Sequence, residues 1–172
     1  MTRLQKARAF TVVELVTVVV ILGILSIASA GPVLTYMTSV RGGAAASRLS
    51  SDVRYMQRLA LSSGLRTWVV FSTSSQTYQL YIENRDNPGK ANRVVVSHPV
   101  DQSTSAIAFN TGPFAGVTMT SVNINSAAEL EFDSFGRPYD SASVALTAAG
   151  QVVLSSGGTV VIRPVTGLVE IQ

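Results

Sequence analysis

FTVVELVTVVVILGILSIASA, from Phe10 to Ala30, is the stretch that decides the fold of this chain. As a helix at about 1.5 Å per residue it would be roughly 31 Å long, close to the hydrocarbon thickness of about 30 Å in a bilayer. Its β-branched residues would suit a strand in water, but in lipid a helix satisfies its own backbone polar groups. The stretch therefore predicts a membrane-spanning helix.

Three fates are open to such a segment. A conventional secretory signal would be removed, and Ala28-Ser29-Ala30 before Gly31 has the small-x-small pattern of a cleavage site. A signal anchor would stay uncut. A leader of a third kind is cut on the cytoplasmic side, before the apolar run, and leaves the helix in the mature protein.

Glu14 favours the third fate. It lies one turn inside the apolar stretch and has no charged partner there. A carboxylate costs about 2.5–3.5 kcal/mol at the centre of a membrane helix and less near its end, and a disposable signal gains nothing from that cost. The alternative is an acidic residue that is merely tolerated near the interface.

The sequence KARA-FTVVEL resembles the type IV prepilin (class III) signal, in which a short basic leader precedes Phe and Glu is the fifth mature residue. The resemblance implies that a prepilin peptidase cuts between Ala9 and Phe10 and N-methylates Phe10. It also implies that Glu14 pairs with the freed amine of a neighbouring subunit's Phe10 during assembly. The family has Gly before the cut, so Ala9 predicts slower but real processing.

Charge and cysteine content exclude several classes of function. The chain has 13 Lys and Arg against 10 Asp and Glu, and Arg3, Lys6 and Arg8 precede the apolar run, so 13 − 3 = 10 basic groups balance the acids of the rest. A neutral mature chain has no electrostatic footprint for nucleic acid, and the three early cations indicate a positive-inside topology. With no cysteine, disulfides, Cys-ligated zinc and thiol catalysis are excluded.

The next segment predicts a bent, then amphipathic helix. Pro32 favours a kink, and Gly42-Gly43 indicates a weak point where the helix could melt or bend. Over 44–63 a narrow apolar stripe recurs at helical spacing, formed by Ala45, Leu49, Val53, Met56 and Ala60. Gly64 is a helix stop.

Beyond Gly64, short alternating segments predict strands separated by turns. They are Thr67–Ser72, Thr77–Glu83, Arg93–Ser97, Ala106–Asn110, Val117–Asn123, Glu129–Phe132, Val144–Thr147, Val152–Ser155, Thr159–Arg163 and Leu168–Ile171. Gly157-Gly158 predicts a hairpin turn and Asn84–Asn92 an exposed loop.

The expected fold is thus α+β, with a long N-terminal transmembrane or stalk helix followed by an antiparallel β-sandwich-like head, as in pilin-like proteins. The expected divisions are a leader at 1–9, a hydrophobic helix at 10–40, its amphipathic continuation at 41–64 and a β-rich head at 65–172.

A finer resemblance is to the GspH/FimT group, the H-type minor pseudopilins of type II secretion and related minor pilins. It rests on RLSSDVRYMQRLALSSGLRTWVVF at Arg48–Phe71, on FDSFGRP at Phe132–Pro138 and on the closing TVVIRPVTGLVEIQ.

Other candidate sites have weaker sequence support. His98 is the only histidine, and it is interpreted as a surface loop residue before Pro99. The acidic residues Glu129, Glu131, Asp133 and Asp140 raise calcium binding as a minority interpretation, but Glu129 and Glu131 alternate with apolar residues and predict the solvent face of a strand. Arg137 and Arg163 raise DNA binding, as in some FimT-like minor pilins, but the closing Gly167–Glu170 segment lacks the expected arginines.

The prediction is therefore a structural minor pilin or pseudopilin, with no enzymatic activity, no catalytic residue, no cofactor and no metal. Its expected partners are other pilin subunits, the prepilin peptidase and an inner-membrane assembly platform. Its expected location is the inner membrane, single-pass with the head periplasmic, and then a filament. The alternatives are a DNA-binding minor pilin of natural transformation and a secreted β-domain released after Ala30.

Overall fold

The computed structural model of the chain describes residues 11–98 and 102–172, without the side chains of residues 28–32. It contains one α-helix, α1, at Val12–Ser63, and short 3₁₀ helices at Lys90–Asn92 and Gly112–Phe114. The chain divides into two units, Met1–Met37 and Thr38–Gln172.

Ten strands follow α1 in the described part of the chain. They are β1 (Thr67–Ser72), β2 (Thr77–Ile82), β3 (Val94–Val95), β4 (Ile107–Ala108), β5 (Met119–Asn123), β6 (Glu129–Phe132), β7 (Pro138–Tyr139), β8 (Gly150–Leu154), β9 (Thr159–Ile162) and β10 (Val169–Ile171). One sheet has the order β3-β2-β1-β6-β7, with β4 also paired to β2, and the other has the order β10-β9-β8-β5. All recorded pairings are antiparallel.

The predicted α+β mixture with antiparallel sheets agrees with this architecture, but the predicted transmembrane helix is wrong. Among the residues that the structure describes, no helix is both long enough and apolar enough to cross a membrane. Within its first turn α1 carries a carboxylate, Glu14, and a charge there is costly in lipid.

One core joins α1 to both sheets. The five residues of the predicted stripe, from Ala45 to Ala60, are all fully buried in it. The first sheet contributes side chains such as Val69, Leu80 and Leu130, and the second contributes Val152 and Ile162. The stripe therefore does what its spacing predicts, which is to pack the helix on β-structure.

Most of the predicted strands are confirmed within one or two residues. Thr67–Ser72 and Glu129–Phe132 match β1 and β6, and Gly157-Gly158 forms the turn between β8 and β9. Val144–Thr147 is wrong as a strand, because in the structure it supplies only an isolated bridge at Ala145. The short strand β7 was not predicted, since Pro138 lacks the backbone donor expected of a strand residue.

Gly42 lies where the β8–β9 hairpin meets α1. A Cβ atom on Gly42 would overlap the backbone carbonyl group of Ser156, and Ser156 Oγ donates a hydrogen bond to the Thr38 carbonyl at 3.0 Å. A Cβ on Gly43 would meet nothing within 4 Å. The helix continues through both positions, so the prediction that it could melt here is wrong. The reason for Gly42 is close contact between helix and hairpin.

Two alanine substitutions should separate packing from helix propensity at this point. Gly42→Ala should lower the free energy of unfolding by about 1–3 kcal/mol, because the new methyl group overlaps the hairpin. Gly43→Ala should raise it by up to about 1 kcal/mol, since Ala is the better helix former and has open space there. Urea unfolding of both variants provides the check, and equal effects would contradict the contact.

Candidate functional site

Thr11 and Glu14 define the start of α1. The Glu14 amide donates to Thr11 Oγ1 at 3.2 Å, and the Leu15 amide donates to the Thr11 carbonyl at 3.1 Å. Thr11 is thus the N-cap and Glu14 the third helical residue, the spacing of a capping box. A carboxylate here also interacts favourably with the helix dipole. The local helix geometry therefore gives Glu14 a role that the sequence argument did not consider.

The first turns of α1 expose an almost wholly apolar surface. Every side chain from Val12 to Ile27 is exposed, and the exposed fraction reaches 77% at Val12 and 81% at Ile27. The two hydroxyls of this run, Thr17 and Ser26, donate back to the carbonyls of Val13 and Leu22 at 2.8 and 2.7 Å. These hydroxyls therefore offer little to an outside partner. Glu14 is the only charged residue of the segment.

The sequence-predicted assembly residues are only partly described by the structure. Ala9 and Phe10, the predicted cleavage site and methylated residue, lie outside the described residues. Glu14 is described and exposed. The pairing of Glu14 with the Phe10 amine of a neighbouring subunit stays a prediction.

A buried polar cluster, absent from the sequence argument, surrounds Asp52. Its Oδ2 atom accepts hydrogen bonds from Arg48 Nε at 3.0 Å and from the Tyr78 hydroxyl at 2.8 Å, and lies 3.2 Å from His98 Nδ1. Asp52 and His98 are fully buried, and Tyr78 nearly so. The prediction that His98 is a surface loop residue is therefore wrong, because Asp52 gives its ring a buried partner.

The surroundings of Asp52 and Tyr78 shift the pKa values of both groups. Burial by itself would raise the pKa of Asp52, but hydrogen bonds from His98, Tyr78 and Arg48 outweigh it and hold that pKa below its ordinary value. Burial, with the Asp52 charge beside it, raises the pKa of Tyr78, so the phenol stays a donor. A carboxylate held by three donors is poorly suited to accept a substrate proton, and the arrangement favours a structural role.

A cavity of about 330 Å³ opens next to Arg48. Its other walls come from Ser103, Thr111, Pro113 and Phe114, among others. It mixes hydroxyl groups with apolar surface and brings no nucleophile beside a base. Its size and lining therefore support no particular reaction.

A second charged cluster covers the face of β1 that points away from α1. Trp68 is fully buried, and its Nε1 donates to Glu131 Oε2 at 2.9 Å. The Arg93 guanidinium lies 4.4 Å from the ring centre of Tyr81 and 5.9 Å from the ring centre of Trp68. Glu131 also lies 3.6 Å from Arg66. The prediction that Glu131 faces solvent is wrong, because arginine and tryptophan donors let the carboxylate be buried.

The acidic residues considered for calcium are engaged elsewhere. Glu129 pairs with Lys90 at 2.7 Å and with Arg93 at 3.1 Å. Asp140 accepts the amides of Ala142 and Val144 in its own turn. Within the described part of the chain, no group of three or more His, Cys, Asp or Glu side chains could hold a metal ion.

The two arginines considered for DNA binding both have acidic neighbours. Arg163 Nη2 lies 2.8 Å from Glu170 Oε2, and Arg137 Nε lies 3.8 Å from Asp133 Oδ2. The structure does not bring Arg137 and Arg163 together in a shared ion-pair network. Each cation is partly compensated, which weakens its attraction for phosphate.

The Asp52 cluster makes stability depend on pH. Because the pKa of Asp52 is lower in the folded than in the unfolded chain, its stabilising contribution is complete above about pH 4 and is lost as pH falls through the folded pKa. Asp52→Asn should lower the free energy of unfolding by about 2–3 kcal/mol at pH 7 and by less at about pH 2.

Urea unfolding from about pH 2 to pH 7 provides the measurement. Asp86→Asn, on an exposed loop, is the matched control and should leave the curve unchanged. Parallel curves for the wild type and Asp52→Asn would contradict the proposed coupling.

Comparison with known proteins identifies no relative: no family model, no curated protein and no solved structure matches this chain.

Proposed function

We propose that this chain is a structural subunit of a filament, a minor pilin or pseudopilin of a type IV pilus or type II secretion pseudopilus. The observation that supports the proposal is the apolar surface of α1, exposed from Val12 to Ile27, with Glu14 as its only charge. Exposed apolar surface of this extent marks a place where another molecule binds.

Helices of neighbouring subunits are the partners that fit this surface best. Full burial of one Val, Leu or Ile side chain contributes about 1.5–3 kcal/mol, so a helix that is apolar on all sides gains most when neighbours surround it. Such packing is non-directional. A single carboxylate inside it can set the register, because an unpaired buried charge is costly in every other alignment.

Processing supplies the cation that Glu14 needs. Cleavage before Phe10 would create an N-terminal amine four residues before Glu14 in each subunit, and the KARA-FTVVEL sequence supports that cut. Thr11 would then be the second residue of the mature chain and could still cap α1. The leader with Arg3, Lys6 and Arg8 would be removed.

The first test is the N-terminus of the full chain expressed with a prepilin peptidase. Mass spectrometry should find N-methylated phenylalanine at position 10. A chain that begins at Gly31 would overturn the proposal and leave a secreted β-domain. If Met1 is retained, Ala9→Gly decides: cleavage restored by glycine supports the proposal, and continued absence of cleavage overturns it.

The second test separates the charge of Glu14 from its place in the helix cap. Glu14→Gln keeps a side chain suited to the third position of a capping box but removes the charge, whereas Thr11→Ala removes the cap and keeps the charge. In cells with the filament machinery, Glu14→Gln should reduce subunit cross-linking from a photoreactive residue at Val20 by roughly tenfold.

Thr11→Ala should leave that cross-linking nearly unchanged, since losing the cap costs only about 1 kcal/mol of helix stability. The reverse pattern, with Thr11→Ala harmful and Glu14→Gln neutral, would show that Glu14 acts only as a helix-capping residue.

A further inference from the structure

Two loops that are distant in sequence meet on the last turns of α1. Gln57 Nε2 donates to the Gly136 carbonyl at 2.8 Å and to the Thr166 carbonyl at 2.7 Å. A Cβ atom on Gly136 would lie 3.1 Å from Leu61 Cγ, and one on Gly167 would lie 2.5 Å from Gln57 Nε2. Gln57 thus holds the FDSFGRP loop and the closing Thr-Gly turn against the helix.

Large apolar side chains around this junction are left exposed. Phe135, next to Gly136, is 69% exposed, Val165, next to Thr166, is 75% exposed, and Leu61 is 54% exposed. We call Leu61, Phe135 and Val165, with the arginines described below, the end patch. Because these three side chains surround Gln57, they form one cluster, whereas exposed apolar residues on a protein surface are usually scattered singly.

Val165 combines a strained backbone with an exposed side chain. Its φ is +66°, a region that β-branched residues rarely adopt, and the Thr166 amide donates to the Pro164 carbonyl at 2.7 Å across it. This is a γ-turn of the positive-φ type, which is rare and strained. Asparagine or glycine would fit such a turn better, so an exposed valine there is costly without a partner for it.

The charges around the patch are mainly positive. Arg58 is exposed, and the structure records no carboxylate partner for it among the described residues. Arg54, one turn earlier, donates to the Val169 carbonyl at 2.6 Å, which leaves its charge uncompensated. Together with Arg137 and Arg163, against Asp133 and Glu170, the local balance is 4 − 2 = +2.

We propose that the end patch docks a protein partner through an apolar side chain flanked by carboxylates. The apolar residues would bury the anchor, and Arg54, Arg58 and Arg137 would pair with the acids around it. A nucleic acid fits less well, because three apolar side chains occupy the centre and a local charge of +2 neutralises few phosphates. This inference does not depend on the proposed filament role.

Fluorescence anisotropy with a defined probe tests the proposal. The probe is a labelled peptide with a central Leu-Phe pair flanked by glutamates on both sides, added to the full chain in mild detergent. Matched probes replace the glutamates by lysines or the Leu-Phe pair by serines, and a labelled DNA duplex is a further probe. Only the acidic apolar peptide should bind, and less tightly as salt rises from about 50 to about 500 mM.

Charge variants locate the binding on the patch. Arg58→Glu should weaken peptide binding roughly five- to tenfold. Arg41→Glu is the matched control, because Arg41 lies on the same helix about 25 Å from Arg58. Arg41 donates to the Ala115 carbonyl instead of facing the end patch. Arg41→Glu should leave binding unchanged.

Apolar variants test the anchor site and the strain together. Phe135→Ser should weaken binding, whereas Val95→Ser, at the opposite edge of the first sheet from the β6–β7 loop, should not. Val165→Asn should weaken binding and yet raise the Tm, because asparagine relieves the strain. A substitution that stabilises the fold while weakening binding cannot act by unfolding the chain.

Three outcomes would overturn the proposal. They are absence of peptide binding at millimolar concentration, binding that Arg58→Glu and Phe135→Ser leave unchanged, and preferential binding of the DNA duplex. The last would identify the end patch as a phosphate-binding surface.

Discussion

The fold of residues 38–172 depends on one narrow stripe of α1. Its five residues, Ala45, Leu49, Val53, Met56 and Ala60, are fully buried against side chains of both sheets. Because one helix face supplies a wall of the shared core, neither sheet can bury its inner face without it. The contact of Gly42 with Ser156 shows how closely the hairpin of the second sheet approaches the same helix.

Polar groups add specificity to this apolar packing. Asp52 lies beside the stripe residue Val53, and it ties α1 to Tyr78 of β2 and to His98. Gln57, one turn further along, ties α1 to the two loops at the end patch. The helix is thus held by apolar contact along one face and by directional hydrogen bonds at its borders. A shifted register would leave these buried groups without partners.

Periodicity predicted the parts of the fold that depend on local sequence. The stripe, the stop at Gly64 and most strands repeat at spacings that a single segment contains. The burial of His98 and Glu131 could not be predicted in this way, because their partners Asp52 and Trp68 are 46 and 63 residues distant. A charged residue in an alternating strand normally indicates the solvent face, and only tertiary pairing reverses that.

The exposed apolar surface of α1, from Val12 to Ile27, could likewise be predicted only in part. Its apolar run and Glu14 are visible in the sequence, and the Thr-x-x-Glu spacing of Thr11 and Glu14 could also have predicted the helix cap. The membrane-spanning prediction rested on the length of that apolar run, and no helix of the described residues meets the requirement. The end patch could not be predicted, since it exists only where the Gly136 and Gly167 turns meet Gln57.

The burial of Trp68 has a spectroscopic consequence. It is the only tryptophan of the chain, and it donates to Glu131 beneath two arginine side chains on the first sheet. Its fluorescence therefore reports the opening of that covered sheet face within residues 38–172. Circular dichroism, in contrast, is dominated by the long helix. Where the two signals separate during unfolding, α1 and the sheet that it packs against are losing their structure at different points.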